Sequence, residues 1–447
     1  MNRLVFALVL AVLWLALASP AVADGTATTQ DAIREEIRAY YENEHEAPKD
    51  SMRFYWKNGF NLETADKKFK MGFHGRIMFD TVFFSGHDEE LEDALDFDFR
   101  NGSYFRRAWL MVNGTLFKHI AYMAQYSFDL VDGPGFLDVW VGLTGAQECL
   151  GCSFPDFRIG HYQEPFGLAW LTSSKYFQLM AWPTPTTTFT PGYNSGIEFN
   201  RQWFGNRLTA RVGFFSASSD FAGISNWDGG YGITGRVTWT PWAPCDCDSR
   251  VLHLGLSGSY RGDIGTARFR SRADIDYGVS VIDTGPFAAS ESMLLDFEIA
   301  FVYDRFNIQS ETTVAQVDAE TGTDPQFWGT YLQAGFQLFG SPYRTYSKKS
   351  ATFGATKVCK PLFGGDCRGT GAWELAARVS YVDLDDGDKQ GGKVQDFVVG
   401  VNYFVNPNAR VMLNWVWGDL ENALGGRLGR DADGDYSALA FRFQVHW

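Results

Sequence analysis

From Lys70 to the last residue, apolar and polar side chains alternate with a period of two in one segment after another. In the first, Met71, Phe73, Ile77, Phe79 and Phe83 share one side, and His74, Arg76 and Asp80 share the other. Leu208, Ala210, Val212 and Phe214 alternate with Arg207, Thr209 and Arg211. Leu295, Phe297, Ile299, Phe301 and Tyr303 alternate with Asp296, Glu298 and Asp304, and Val411, Leu413, Trp415 and Trp417 oppose Asn414. Successive side chains of a strand point to opposite faces, so this is a strand period and not a helical one. A single such strand fits two folds. A soluble sandwich buries the apolar stripe, whereas a membrane barrel turns it outward to lipid and lines a lumen with the polar stripe.

Repetition separates the two. About sixteen segments of ~9–13 residues occur, a length that crosses a bilayer at a tilt. The ~380 residues after Lys68 leave about 24 per strand with its connection, which suits a porin-sized barrel. Short joins such as Phe117-Lys118-His119, Phe204-Gly205-Asn206 and Asn406-Pro407-Asn408 take turns with long ones such as Ser85–Ser103 and Gly418–Gly434. That asymmetry belongs to outer-membrane barrels. The final stripe, Leu439, Phe441, Phe443, Val445 and Trp447, runs to the C-terminus and suits a last strand that closes on the first, since an open edge in lipid leaves backbone groups unsatisfied. The fold expected is all-β: a closed antiparallel transmembrane barrel of about sixteen strands over residues 69–447.

Composition removes other classes. Mean hydropathy is −0.19, and only Leu4–Ala18 forms a long apolar run, so a helical membrane bundle is excluded. The 38 Phe, 15 Trp, 19 Tyr and 47 Gly fit many short strands and turns. A net charge of −14 excludes nucleic-acid binding through bulk charge, so any anion site must be a local cluster. Arg3, the Leu4–Ala18 run and Ala21-Val22-Ala23 read as a signal peptide over residues 1–23, which exports the chain. Residues 24–68 form a polar periplasmic arm. Within it the stretch 31–46 places Ile33, Ile37, Tyr40 and Glu44 at helical spacing, stopped near Pro48, but the stripe is short and a loose arm is the preferred reading.

Six cysteines fall as three local pairs, Cys149/Cys152, Cys245/Cys247 and Cys359/Cys367, all on the short-turn side. They are expected to be disulfides clipping turns, with no metal site and no cofactor. Acidic stretches at 383–388 and 431–435 read as solvated loops. The second starts like a calcium loop but carries Arg442 at its twelfth position. No Gly-x-Ser-x-Gly elbow is present, and Ser257 in Gly255-Leu256-Ser257-Gly258-Ser259 sits within a strand pattern, so no enzyme is expected.

Two stretches draw attention as functional. Arg268, Arg270 and Arg272 alternate, so in extended backbone three guanidinium groups would stand on one face ~6.5–7 Å apart. Such rungs can pass an anion between weak sites, although a solvent-facing strand neutralised by Asp263, Asp274 and Asp276 has the same spacing. The stretch 164–191, with Trp170, Phe177, Trp182, Pro183, Pro185 and Pro191, lacks strand period and reads as a loop able to fold inward and narrow a lumen.

Several segments resemble the phosphate-selective porin family, the O and P type outer-membrane porins. They are Tyr104-Phe-Arg-Arg-Ala-Trp109, Gly160-His-Tyr-Gln-Glu-Pro-Phe-Gly167, Leu171-Thr-Ser-Ser-Lys175, Arg268-Phe-Arg-Ser-Arg272, Gly371-Ala-Trp-Glu-Leu-Ala-Ala377 and Val401-Asn-Tyr-Phe404. They occur in order from about Lys70 to Trp447. The resemblance implies a sixteen-stranded barrel in the bacterial outer membrane, commonly a homotrimer, with an inward constriction loop and an arginine ladder for phosphate or polyphosphate. By matching motif it assigns anion-binding roles to Arg268, Arg270, Arg272, Arg106, Arg107 and Lys175, and places Asp129 near the constriction. The longer join at 149–156, the cysteine pairs, and the bulk of Trp170 and Trp182 depart from the family pattern. A general or carbohydrate-preferring porin is the alternative.

Overall fold

The computed structural model describes residues 51–96, 99–129, 133–150, 154–217, 230–243, 249–272, 274, 277–365, 369–426 and 433–447. Sixteen strands form the wall: β1 Lys70–His87, β2 Gly102–Leu116, β3 Ile120–Ser127, β4 Gly135–Leu143, β5 Asp156–Gln163, β6 Tyr193–Trp203, β7 Leu208–Ser216 and β8 Tyr231–Trp242. The second half comprises β9 Val251–Gly262, β10 Phe287–Tyr303, β11 Phe306–Ala319, β12 Gln326–Phe339, β13 Ala372–Asp386, β14 Lys389–Asn406, β15 Ala409–Glu421 and β16 Gly434–His446. Each pairs antiparallel with its neighbour in sequence, and β16 closes on β1 with Phe443 opposite Phe79 and Arg442 opposite Asp80.

Burial decides which face is which. Phe297 is 56% exposed and Trp415 41%, whereas Arg442 on the opposite face of β16 is 1% exposed and Asp396 on β14 is buried completely. Apolar side chains therefore face outward and polar ones inward, as a barrel in lipid requires and a sandwich forbids.

The barrel does not begin abruptly. Met52–Trp56 and Phe60–Thr64 form a hairpin whose second strand pairs with the start of β1, Phe60 opposite Phe73 and Glu63 opposite Lys70. It occupies the edge of β1 just beyond the end of β16. There Trp447 exchanges two backbone hydrogen bonds with Gly75 (2.9 and 3.0 Å). A Cβ on Gly75 would lie 2.3 Å from the Trp447 ring, so the terminal indole rests on a position that only glycine leaves open. The described part of the arm thus carries a hairpin over 52–64. The helical spacing at 31–46 and the signal segment lie outside the described residues. So do the cysteine pairings, because Cys152, Cys245, Cys247 and Cys367 and the Cys149 side chain are not described; Cys359 is exposed.

The lumen is partly filled. Connection 164–192 turns inward through Leu168–Leu171, Ser174–Tyr176 and Thr184–Phe189, with Leu168 and Phe189 buried. Connection 263–286 follows it, and Phe269 packs against Phe189 and Phe327 at 5.8 and 5.4 Å between ring centres. These two loops cover the inner faces of β10–β16, where Val317, Val382, Val394, Val398, Met412 and Val416 are all buried in one apolar cluster. Strict polar-inward alternation therefore fails on this half of the barrel, because its inner wall meets protein instead of water.

Two connections differ from the sequence expectation. The acidic stretch 383–388 is the end of β13 and a tight turn, not a long loop. Backbone amides of Gly391 and Gly392 donate to Asp385, and Thr323 and Lys389 donate to Asp388, which absorbs the charge locally. On the opposite side, 340–371 is long and carries its own hairpin, Arg344–Ser347 with Thr352–Thr356. Tyr346 and Phe353 on it pack against Leu168 and Val302, so this end of the lumen is narrowed too.

Candidate functional site

A bulge in β2 builds one wall of the site. Met78 pairs with Arg107 and Phe79 with Phe105, so Arg106 is the extra residue in the ladder. A bulge sets two residues against one and re-aims side chains. Here Phe105 stays outside, 54% exposed, while Arg106 and Arg107 are both buried, at 3% and 0% exposure. The Arg107 guanidinium lies over the rings of Trp182 (4.8 Å), Trp109 (5.5 Å) and Phe177 (5.8 Å), and Arg76 lies over Trp109 at 4.5 Å. Rings with a negative face stabilise a cation held away from water. Trp109 Nε1 donates to Asp129 Oδ2 at 3.0 Å, and Ser127 Oγ donates to the same oxygen.

The facing wall is the 263–286 loop. Phe269 and Ser271 are buried, while Arg268 and Arg270 are exposed and Arg272 half-buried. The five-residue run is extended, with Arg270 and Ser271 pairing across to Asp283 and Ile282. Arg268 turns to Asp283, its Nε and Nη2 donating to the two carboxylate oxygens at 2.9 and 2.5 Å. Arg270 and Arg272 instead line a cavity of about 380 Å³ together with Arg106, Arg107 and Asp129. Trp109, Trp170, Trp182 and Tyr193 complete much of its remaining wall.

Five of the seven expected anion-site residues therefore meet in one place. Arg268 does not line this cavity, and its charge is matched by Asp283. Lys175 lines a separate recess with Tyr176, Phe404 and His446. Burial, and then the Arg76 charge, lower its ammonium to about 8.

Sequence reasoning missed a second set of arginines. Arg442 is bidentate to Asp80 (2.6 Å each) and donates to the Met180 carbonyl at 2.7 Å. Arg410 donates to the Phe177 carbonyl, Arg344 to that of Tyr176 (3.2 Å), and Arg378 to those of Ala181 and Trp182 (3.2 and 3.4 Å). Arg76 donates to Ser174 Oγ at 2.6 Å. Guanidinium groups from the second half of the chain thus hold the backbone of 174–182, and Arg76 on β1 holds the Ser174 side chain. On the other flank, Glu311 accepts from the Leu168 and Ala169 amides at 2.6 and 2.8 Å. Asp296, Glu298 and Glu311 bring carboxylate oxygens within 4.8 Å of one another, the described group closest to metal-ligand spacing. Glu298 is already bidentate to Arg236 (2.8 and 2.6 Å) and bonded to His253 and Ser257. Except for Arg344, which lies on the hairpin of the 340–371 connection, the signal was an ionic residue at an inward position of a wall strand, visible in the alternation yet indistinguishable there from pore lining.

A closed sixteen-stranded barrel with an apolar exterior, an ionic interior and inward loops defines an outer-membrane porin, a channel-forming protein of the bacterial outer membrane. The chain belongs to the family described as phosphate-selective porin O and P, whose model matches residues 74–447. Porin O of Pseudomonas aeruginosa is 24% identical over 430 residues, covering 87% of this chain and 91% of its own. A protein of Caulobacter vibrioides is 26% identical over 393 residues, covering 85% of this chain and 74% of its own. Among solved structures, a loop-deletion variant of the outer-membrane protein OmpT of Vibrio cholerae superposes with a TM-score of 0.51 at 10% identity, covering 85% of this chain and all of that one, a likeness of fold.

Proposed function

We propose that this porin is a passive diffusion channel for anions, with phosphate or polyphosphate as the favoured solutes. The observation that carries this is the convergence of Arg106, Arg107, Arg270 and Arg272 on one cavity where, among the described residues, Asp129 is the one lining carboxylate and its Oδ2 accepts from Trp109 and Ser127. Guanidinium groups stay charged and match oxyanion geometry through paired donors. In a narrow low-dielectric lumen, nearby charges outweigh the distant carboxylates that give the chain its net −14. Arg268 belongs to the loop that presents the ladder, and Lys175 is a further cation along the lumen. No covalent chemistry is involved: Ser257 Oγ accepts from the Gly167 amide and donates to Glu298, which is an anchoring role for the inward loop. The assembly we propose is a homotrimer, as the family resemblance implies.

Reversal potentials in a salt gradient across a planar bilayer test the reading. Anion preference, with chloride current blocked by added phosphate, is the expected result, and cation preference overturns it. The indole and phenol rings of the cavity favour the second reading, a carbohydrate-preferring porin. That reading wins if neutral sugars enter proteoliposomes readily while phosphate neither blocks nor permeates.

A further inference from the structure

The arginines account for only part of the cavity wall. At about 380 Å³ it falls within the ~300–1,000 Å³ of small organic ligand sites. At ~30 Å³ per water it has room for on the order of a dozen waters, so one inorganic oxyanion fills only a fraction. Four aromatic side chains, Trp109, Trp170, Trp182 and Tyr193, share the remaining wall with small polar residues such as Thr187, Thr190 and Ser280. Trp170 and Trp182 pack with ring centres 5.0 Å apart, and Tyr193 meets Trp170 edge-on at 5.8 Å. Trp109, Trp182 and Tyr193 are only half-buried, so each keeps ring surface that the protein does not cover. Arg107, fully buried, stacks over Trp182 and Trp109 and sets its charge behind the rings of this wall.

From this pairing we propose that the cavity selects small aromatic carboxylates: a planar ring against the tryptophan side, and the carboxylate on the arginines. The inference rests on the anion-channel reading and names a solute class for the same site. Arginines on β2 and on the 263–286 loop supply the charge, and offset or edge-on stacking on indole supplies the ring contact. A bare oxyanion leaves the aromatic wall unused. Among the described lining residues a neutral sugar meets one carboxylate acceptor, Asp129, whose Oδ2 already takes two donors.

The test uses the full mature protein in planar bilayers, comparing block of chloride current by benzoate, cyclohexanecarboxylate, acetate and inorganic phosphate. Benzoate is expected to half-block at a concentration at least tenfold below that of acetate, and severalfold below that of non-planar cyclohexanecarboxylate. Trp182→Leu should lower the benzoate-to-acetate ratio at least fivefold, and Trp182→Phe should restore most of it. The wild-type comparison stands even if the leucine variant fails to fold. Equal block by benzoate and acetate in an anion-preferring channel overturns the inference and leaves the anion reading intact. Equal block by benzoate and cyclohexanecarboxylate overturns it as well, since a ring-sized void would then be the whole cause. A channel without anion preference removes the reading beneath it.

Discussion

Arg268, Arg270 and Arg272 share a spacing and differ in what each meets. Arg268 spends its paired donors on Asp283, whereas Arg270 and Arg272 open onto the cavity. Hydrogen bonds to a charged group contribute ~1.5–3 kcal/mol, so replacing Arg270 and Arg272 together by Ala should weaken phosphate block at least about tenfold. Arg268→Ala alone should change it less than the double variant, and conductance titrations of the two compare directly. Lysines at 270 and 272 should keep anion preference while losing phosphate affinity, because a point charge cannot reproduce the fork. Lys175 offers a pH handle. With its ammonium lowered to about 8 by burial, it is cationic below that pH and neutral above it. Anion preference measured by reversal potential should therefore fall as pH rises from 7 to 9, and Lys175→Arg should abolish that change.

At the scale of elements, the middle of the inward loop 164–192 buries Leu179 and Met180 in the apolar cluster and is also held by wall arginines through its carbonyl oxygens. Arg442 is the clearest of these, since it holds both Asp80 and the Met180 carbonyl. Breaking a buried pair by removing one partner typically costs 3–5 kcal/mol, because the other charge stays buried without compensation. Arg442→Ala should lower the temperature at which the folded form is lost in heat-modifiability gels. It should also raise single-channel current noise as the 174–182 stretch loosens. Noise and mean current identical to wild type would show that the loop is held without the clamp. The bulge in β2 works at this scale as well: one extra residue turns both Arg106 and Arg107 into the lumen, which strict alternation forbids.

For the molecule as a whole, closure is the step on which everything depends. Trp447 bonds to Gly75, the indole lies where a Cβ would stand, and the 52–64 hairpin continues the same edge of β1. Gly75→Val should displace the terminal indole and reduce the heat-modifiable folded fraction on refolding into detergent, more than the same change at Gly235, where an added Cβ meets nothing closer than 3.5 Å. Equal folded fractions would mean that the terminal contact is dispensable. The period of two, the alternation of joins and the number of strand-length segments determined the class of fold by themselves, because strand geometry separates an apolar from a polar face and so many membrane-length segments with short and long joins in turn fit a barrel. Spacing and resemblance also pointed to Arg106, Arg107, Asp129, Arg270 and Arg272 as a group. Only the tertiary structure decided that these five share a cavity while Arg268 and Lys175 stand apart, and that a further set of arginines clamps a loop instead of lining the passage. The reason is physical: an inward position in a strand pattern fixes which face a side chain takes, but what it meets there depends on loops that cross the lumen from distant parts of the chain.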